Sequence, residues 1–504
     1  MELNDDNYLL FPILLSPSIL IFIFVWYKAS KGLKLPPGPP AWPIIGNTLD
    51  LDAQKPHTWL ANLAKCYGPL ISLRLGPKFL VVASSPATAR EILKTHDKDL
   101  SGRYKSRLST AIPDFKSSVI VLSADCNERW RFLRSNAHLE LFSARAIESH
   151  SKIRAEKAEE MLHFLFEKDN EVVAIADILY ATIVNSLTNT MLSEDIIGLE
   201  ENVDDLRKFS RSLIEFAVPG MADIFSVMEV FDSGTKRKAK EYKEKSRAVW
   251  GNIVRDRRGR QKDFDATRMD FLDVLIRNSF DDCQIFNVFS ELFVTSDSIS
   301  TTLEWAVAEL TRNQEAFTKL RDEITKSIEE GTTITENHLT KLPYFQACIK
   351  ETLRLHPPSP FLVPHCALQS CKVMNYEVPK NSLVVVNIYA IGRDPNTWED
   401  PLSFKPERFL GKNIDLKGTH YELLPFGGGR RICIGIPLAL KQIQLLLASL
   451  VYAFDWSLPD GMDPTKLDMS DKFSIPLGRA KPLLLILKKR KHLKIHIPPP
   501  RPKI

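Results

Sequence analysis

The stretch Pro425–Gly435 reads PFGGGRRICIG, and a largely apolar run, residues 436–453, follows it. The stretch places one cysteine, Cys433, just before a segment that is long and apolar enough to form a buried helix. Arg430 and Arg431 precede this cysteine. A thiolate that lies near a helix N-terminus and close to cations is stabilised as an anion, and it then binds metals strongly. The pattern therefore predicts that Cys433 is a metal ligand.

Glycine is dense around this cysteine, at Gly427, Gly428, Gly429 and Gly435. Because glycine has no Cβ and tolerates positive φ, these residues let the backbone pass close to a flat, bulky group. A single thiolate beside such a surface is typical of the axial ligand of a haem iron. The alternative is a structural buried cysteine beside an ordinary glycine-rich turn.

The stretch resembles the haem-binding signature of the cytochrome P450 superfamily, F-x-x-G-x-R-x-C-x-G, at every fixed position. The matching residues are Phe426, Gly429, Arg431, Cys433 and Gly435. The resemblance covers nearly the whole chain. It implies a mainly helical fold with a small β-region around haem b, in which Phe426 and Arg431 contact the cofactor. It also implies electrons from NADPH, delivered by NADPH-cytochrome P450 reductase docking on the Cys433 side.

A second match lies on a predicted helix that starts near Glu128. Trp130 and Arg134 stand four residues apart, so they share one face of that helix. They match the W-x-x-x-R motif of the superfamily, in which both side chains approach a haem propionate. The alternative is a core tryptophan beside a surface arginine.

A long apolar segment, Ser290–Leu310, resembles the central helix of plant microsomal P450s. The superfamily usually reads A-G-x-D-T there, whereas this chain has Val294, Thr295, Ser296, Asp297 and Ser298. The resemblance implies that Asp297 and Ser298 relay protons during oxygen activation and that Val294 and Thr295 border the substrate. A β-branched residue in place of glycine should narrow or reshape the oxygen groove. The alternative for the acid and the serine is a helix-face carboxylate with a back-bonded hydroxyl.

Glu351 and Arg354 stand three apart on a predicted helix and match the E-x-x-R motif of the superfamily. Arg408, in the segment PERF, completes a Glu–Arg–Arg network. We expect this network to be structural, because removing one partner leaves a buried charge unpaired.

Two further segments are expected at the pocket by resemblance. His365 is a candidate donor to a haem propionate, with a surface-loop histidine as the alternative. The expected substrate contacts in these segments are Phe361, Leu362, Val363, Phe473 and Ile475.

The chain divides into four predicted parts. They are a transmembrane anchor with its basic flank (1–34), a proline-rich hinge (35–47), a haem-thiolate catalytic domain (48–487) and a basic, proline-rich tail (488–504). The anchor contains about twenty apolar residues, enough to cross a bilayer, with acidic residues before it and lysines after it. This arrangement predicts a single-pass protein of the endoplasmic reticulum membrane, with the catalytic domain in the cytoplasm; the alternative is a cleaved signal peptide. Alternating runs at 70–76 and 78–84 predict two strands.

Composition constrains the partners. The net charge is +5, and seven cysteines are scattered without a C-x-x-C pair, which indicates neither a disulfide framework nor a zinc cluster. The charge runs lack interleaved aromatic residues, so nucleic-acid binding is not expected. The expected partners are the reductase, membrane lipid and a small hydrophobic substrate.

The resulting prediction is a monooxygenase that oxidises a plant alkaloid or terpenoid. Three alternatives stay open: oxidative phenol coupling or rearrangement without oxygen insertion, a reductase-independent isomerase or dehydratase, and a non-catalytic haem-binding protein.

Overall fold

The structure is a computed structural model and describes residues 34–259, 269–328 and 334–490. Within these ranges the chain is mainly helical, with ten α-helices of nine or more residues. They are α1 (Pro56–Tyr67), α2 (Glu128–Ala137), α3 (Ser151–Glu167), α4 (Ile175–Leu192), α5 (Asp204–Ser212), α6 (Ser233–Gly259), α7 (Asp282–Arg312), α8 (Gln314–Ser327), α9 (Pro343–Leu355) and α10 (Ile436–Ala453). Shorter α-helical segments are Pro86–Arg90, Arg107–Thr110, Phe115–Ser118, Ala144–Ser149, Met221–Ile224, Phe271–Arg277, Glu336–Leu339 and Ile388–Ile391.

The described β-structure is small and consists of short strands. They are β1 (Leu70–Leu75), β2 (Lys78–Ala83), β3 (Val172–Ala174), β4 (His365–Cys366), β5 (Cys371–Val373), β6 (Tyr376–Val378), β7 (Leu383–Val386), β8 (Phe454–Ser457), β9 (Asp471–Lys472), β10 (Gly478–Arg479) and β11 (Leu484–Lys489). One sheet has the order β1-β2-β7-β4, in which β2 and β7 run parallel, and a second has the order β3-β11-β8. The pairs β5–β6 and β9–β10 are antiparallel.

The central helix α7 organises the core. The Asp281 carboxylate accepts a hydrogen bond from the Gln284 N–H at 2.9 Å, and the Gln284 side chain accepts one from the Asp281 N–H, so a capping box starts the helix. Buried residues occur on every side of α7, as expected for a helix that is surrounded by others. α4 and α10 pack against it.

Several predicted elements are confirmed. The two alternating runs form the hairpin β1–β2, with Leu70 opposite Ala83 and Leu75 opposite Lys78. The apolar run after the cysteine forms α10 over Ile436–Ala453. Among the described residues, α10 is the one helix that is long and apolar enough to cross a membrane, and 78% of it is buried, as is typical of a core helix.

The structure describes only part of the predicted chain ends. Residues 1–33, which carry the predicted anchor, lie outside the described residues. The start of the predicted hinge packs along β1: Ser72 donates its N–H to the Pro37 carbonyl at 2.9 Å and its hydroxyl to the Pro36 carbonyl at 2.7 Å. At the other end, β11 continues to Lys489, which is inside the predicted tail. The rest of that tail, residues 491–504, is also outside the described part.

Candidate functional site

The cysteine turn, residues 425–435, holds Cys433 by its backbone. The Cys433 N–H donates to the Phe426 carbonyl at 3.0 Å and closes the turn. Gly427 and Gly429 have φ angles of 73° and 65°, in the left-handed region that glycine adopts without strain. A Cβ on Gly429 would also lie 2.2 Å from a neighbouring carbonyl oxygen. Two of the predicted glycines are therefore required by the turn itself.

Three positive groups face the Cys433 sulfur. Burial raises the pKa of the thiol, whereas the backbone N–H groups of Gly435 and Ile436 and the Arg134 guanidinium act in the opposite direction. The two N–H groups lie at the start of α10, where the helix dipole also favours negative charge. The net result is a raised pKa of the thiol, so these groups only partly offset burial, and a bound metal ion would supply the charge that stabilises the thiolate.

The space beside the sulfur fits a flat group. Gly427, Gly435 and Cys433 line one large cavity, whose empty volume including its mouth is about 1780 Å³. A Cβ on Gly435 would lie 3.8 Å from the Cys433 Sγ, and one on Gly427 would lie 3.5 Å from a side-chain carbon of Leu362. A side chain at Gly435 would therefore occupy the space next to the sulfur, and one at Gly427 would contact Leu362, which also lines the cavity. Phe426 also lines the cavity.

Four basic side chains line the same cavity: Arg103, Arg134, His365 and Arg431. None of these three arginines forms an ion pair with a carboxylate in the described part of the chain. One nearby carboxylate, Glu291, does not balance three arginines, so the cavity wall keeps a net positive charge and is a site for an anion. The two propionates of haem are anions of the required kind, so the residues fit this cofactor.

Trp130 supports two of these cations and does not itself line the cavity. The guanidinium carbons of Arg134 and Arg431 lie 5.4 Å and 5.3 Å from its ring centroid. Arg134 donates to the Ile432 carbonyl at 2.7 Å, next to the cysteine. The predicted W-x-x-x-R pair and Arg431 are thus brought together.

Arg103 was missed by the sequence analysis. It is buried and donates to the carbonyls of Val363 at 2.7 Å and Pro364 at 3.1 Å. Burial and the nearby Arg431 hold its pKa well below the usual arginine range. Its segment contains several basic residues without helical or strand periodicity, so no sequence signal separated it from its neighbours.

His365 lies at the cavity, but its bonding limits the predicted role. The ring donates from Nδ1 to the Leu100 carbonyl at 2.7 Å, so the neutral ring carries no hydrogen on Nε2. Burial and Arg103 hold the pKa of His365 well below its usual value. His365 can therefore donate to a propionate only in its protonated form, which a nearby anion would favour.

The central helix places its predicted acid and hydroxyl differently. Ser298 lines the cavity, and its hydroxyl makes no hydrogen bond to another described residue. Asp297 does not line the cavity and is 1% exposed. Its carboxylate accepts from Arg211 of α5 at 2.6 Å and 3.2 Å, and it lies 3.6 Å from Arg207. Because successive helical residues point in different directions, only Ser298 faces the cavity.

Val294 and Thr295 also line the cavity. The Thr295 hydroxyl donates to the Leu292 carbonyl at 2.6 Å, so it is engaged within its own helix. α7 is α-helical at every residue from Asp282 to Arg312. The two side chains therefore stand where the superfamily motif has Ala and Gly, on a helix without an opened turn.

Glu291 is a second site residue that the sequence analysis missed. It is buried, lines the cavity and accepts hydrogen bonds from three consecutive N–H groups, of Ile120, Val121 and Leu122. Burial raises the pKa of this carboxyl to about 7, although the three N–H groups act in the opposite direction. A single acid in an otherwise apolar part of a predicted buried helix was the available signal.

The Glu–Arg–Arg network forms as the sequence indicated. The Glu351 carboxylate accepts from Arg354 at 2.7 Å and 2.8 Å and from Arg408 at 2.9 Å. The side chains of Glu351 and Arg354 are fully buried. The network lies away from the cavity lining.

The predicted substrate contacts divide into two groups. Leu362, Val363 and Ile475 line the cavity. Phe361 and Phe473 do not, and their ring centroids lie 5.9 Å apart in a cluster beside the four-stranded sheet. Further apolar walls come from a segment that the sequence did not single out; they are Leu213, Ile214 and Ala217.

The chain belongs to the cytochrome P450 family. The family model matches residues 36–484, which includes the cysteine turn, the central helix and the Glu–Arg–Arg network.

Its relatives include plant enzymes that are named after alkaloids. A probable (S)-N-methylcoclaurine 3'-hydroxylase isozyme 2 of Coptis japonica is 44% identical over 95% of this chain and 98% of its own length. The corytuberine synthase of Coptis japonica is 40% identical over 94% of this chain and 98% of its own length. The berbamunine synthase of Berberis stolonifera is 39% identical over 94% of this chain and 97% of its own length.

Proposed function

We propose that this P450 is a haem-thiolate monooxygenase that oxidises a small plant alkaloid related to N-methylcoclaurine. It would use dioxygen and electrons from NADPH, delivered by NADPH-cytochrome P450 reductase. The observation that carries the proposal is that one cavity contains both the Cys433 thiol and the unbonded hydroxyl of Ser298. The hydroxylase and synthase names of the relatives support the substrate class.

The cofactor would be haem b. Cys433 would ligate the iron, and Arg103, Arg134 and Arg431 would bind the propionates, with protonated His365 as a further donor. When bound, haem supplies the activation of dioxygen for insertion into a C–H bond.

Residues of α7 would control the supply of protons at the part of the cavity wall that this helix forms. Ser298 would donate a proton from its hydroxyl into the cavity, since this group has no competing acceptor in the described chain. Asp297 ties α5 to α7 through Arg211, whose side chain is 40% exposed. This ion pair would keep the following segment, residues 213–217, over the substrate.

The cavity walls favour a ligand with a large apolar surface. Much of the lining is aliphatic, contributed by Leu213, Ile214, Ile299, Leu362 and Ile475. Apolar walls with a few polar groups bind small organic molecules and exclude water. A terpenoid would satisfy the same walls, so the alkaloid proposal rests on the relatives.

A second candidate is oxidation without oxygen insertion, such as phenol coupling. Val294 and Thr295 fill the place of Ala and Gly, and α7 shows no opened turn for dioxygen and its water. Slower proton delivery would leave one-electron oxidation of the substrate as the remaining chemistry. An isomerase or dehydratase would differ from both by working without NADPH.

The membrane association is part of the proposal. Residues 1–34 would anchor the chain in the endoplasmic reticulum membrane, where the reductase is also expected.

The test uses microsomes that contain the full-length chain and the reductase, NADPH, isotopically labelled dioxygen and a panel of N-methylcoclaurine-type alkaloids and terpenoids. Labelled oxygen in an alkaloid product supports hydroxylation. An unlabelled product that requires NADPH supports coupling, and a product formed without NADPH contradicts both. Microsomes with Cys433→Ser control for background oxidation and should form no product.

A further inference from the structure

The loop 120–122 connects the central helix to the cations of the cofactor site. On one side, its three N–H groups donate to the Glu291 carboxylate, at 2.5 Å from Ile120, 2.8 Å from Val121 and 2.9 Å from Leu122. Three backbone N–H groups that converge on one carboxylate bind it as an anion and fix its position. Glu291 forms no ion pair in the described part of the chain, so its bonding is to backbone.

The carbonyls of the same loop accept hydrogen bonds from Trp130 and from two of the arginines that line the cavity. The Ile120 carbonyl accepts from the Trp130 indole N–H at 2.8 Å and from Arg431 at 3.2 Å. The Val121 carbonyl accepts from the Arg103 Nε at 3.1 Å. The N–H of a residue and the C=O of the residue before it belong to one rigid peptide plane. A carboxylate that orients the Val121 and Leu122 N–H groups therefore also orients the Ile120 and Val121 carbonyls.

We propose that Glu291 is a positioning residue for the cofactor: its carboxylate fixes the loop 120–122, and the loop fixes the Trp130–Arg431–Arg103 group that would bind the haem propionates. The inference rests on the proposed haem site, because the propionates are the anions that these cations would meet. Glu291 also shapes one cavity wall, since Ile120, Val121 and Leu122 all line it.

The variant Glu291→Gln isolates the carboxylate. A glutamine side chain has nearly the same shape but one oxygen, so its NH2 group must face at least one of the N–H donors. The peptide left without an acceptor then turns, which weakens the contact of its carbonyl with Arg431 or Arg103. Each arginine keeps its other carbonyl acceptors, so its guanidinium shifts in position without being released. Glu291→Asp keeps the charge but shortens the side chain by one methylene, so it should keep some of the three bonds.

Glu304 provides the matched control on the same helix. It is also buried, and its carboxylate accepts a backbone hydrogen bond, from the Leu483 N–H at 2.9 Å. It does not line the cavity. Glu304→Gln therefore perturbs a buried carboxylate of α7 without touching the loop 120–122.

The experiment measures haem release from the purified full-length holoprotein into excess apomyoglobin, together with the haem midpoint potential. We expect release from Glu291→Gln to be about tenfold faster, the factor that corresponds to one lost hydrogen bond to a charged group. Glu291→Asp should be intermediate, and Glu304→Gln should match the wild type. The potential should shift in Glu291→Gln, which removes a charge that acts on Arg103 and Arg431, and not in Glu304→Gln. A shift in Glu291→Asp, which keeps the charge, reports movement of the cations.

Three results would overturn the inference. One is the same release rate and potential in Glu291→Gln and wild type. Another is an equal change in Glu304→Gln, which would indicate a general effect of helix stability. The third is a raised KM for an amine substrate with unchanged haem release, which would make Glu291 a substrate counter-ion.

If Glu291→Gln retains no haem, the release rate of Glu291→Asp decides, and a wild-type rate in that variant would count against the inference. A wild-type chain that binds no haem would instead contradict the proposed function.

Discussion

The cysteine turn and the central helix line the same cavity but are held there in different ways. The turn depends on its backbone, with glycines at positive φ and an N–H that closes on the Phe426 carbonyl. The helix segment 294–298 depends on which face of α7 each residue occupies, and on the ion pair from Asp297 to Arg211. A backbone-defined site needs particular residues, whereas a helical site needs only a suitable group at the correct register. This difference explains why the turn keeps the superfamily pattern while the helix departs from it.

The largest effect should come from the Glu–Arg–Arg network. In Arg354→Met, the fully buried Glu351 loses the partner that donates two hydrogen bonds to it. The loss should cost about 3–5 kcal/mol, a large part of the stability of a typical protein. Haem content and apparent melting temperature should both fall sharply.

The control for this variant is Arg321→Met. Arg321 pairs at 2.7 Å with Asp455, whose side chain is 56% exposed. An exposed pair contributes about 1 kcal/mol or less. Equal losses in the two variants would contradict the structural role of the network.

The glycines of the turn allow a sharper comparison. Gly429→Ala should combine left-handed strain with a Cβ placed 2.2 Å from the Leu93 carbonyl oxygen. Gly411 has a φ of 70° with open space around it, so Gly411→Ala carries strain alone, about 1–2 kcal/mol. Denaturant unfolding should show a clearly larger loss for Gly429→Ala, together with weaker haem binding. Similar losses would mean that the close approach of the backbone does not matter.

The helix side should respond more mildly. Asp297→Asn breaks the tie to α5, but Arg211 can turn its charge to solvent. We expect a coupling free energy of about 0.5–3 kcal/mol between Asp297→Asn and Arg211→Gln in a double-mutant cycle of unfolding. Additive effects of the two changes would show that the ion pair does not link the helices.

The smallest effect concerns the contact between α7 and α9. His356 lies 2.7 Å from Glu309 and stacks on Trp305, and burial lowers its pKa. A histidine held neutral in the fold stabilises the protein above its unfolded pKa, about 6.5, and this stability is lost as the pH falls below that value. The free energy of unfolding should therefore fall as the pH drops from 7.5 to 5.5.

His356→Gln keeps an N–H donor for Glu309 and cannot titrate. Its apparent melting temperature should fall less than that of the wild type between pH 7.5 and pH 5.5. An identical fall in both proteins would assign the acid sensitivity to other groups.

Local patterns predicted much of this molecule. The hairpin β1–β2, helix α10 and the Glu351–Arg354 spacing follow from periodicity, and the structure has them where the sequence indicated. The cysteine turn could be predicted because glycines in a row indicate positive φ angles or a close approach of the backbone.

What the sequence did not show depends on contacts between distant segments. Arg103 reaches the cavity through the carbonyls of Val363 and Pro364, and Glu291 acts through a loop about 170 residues away. Phe361 and Phe473 do not line the pocket, because they pack on each other beside the sheet. The direction in which each side chain points also could not be predicted. Asp297 and Ser298 are adjacent in sequence, but Asp297 pairs with Arg211 and Ser298 lines the cavity.

The most direct test of the account is the labelled-dioxygen assay on Ser298→Ala beside Ser300→Ala. Ser300 is buried on the same helix, donates to the Asp297 carbonyl at 3.1 Å and does not line the cavity. We expect Ser298→Ala to lower labelled product per NADPH consumed by roughly a hundredfold, the lower end of proton-transfer effects. Ser300→Ala should keep the wild-type yield. Full incorporation of labelled oxygen by Ser298→Ala would contradict the claim that this hydroxyl, on a helix without the usual Ala-Gly pair, delivers the proton.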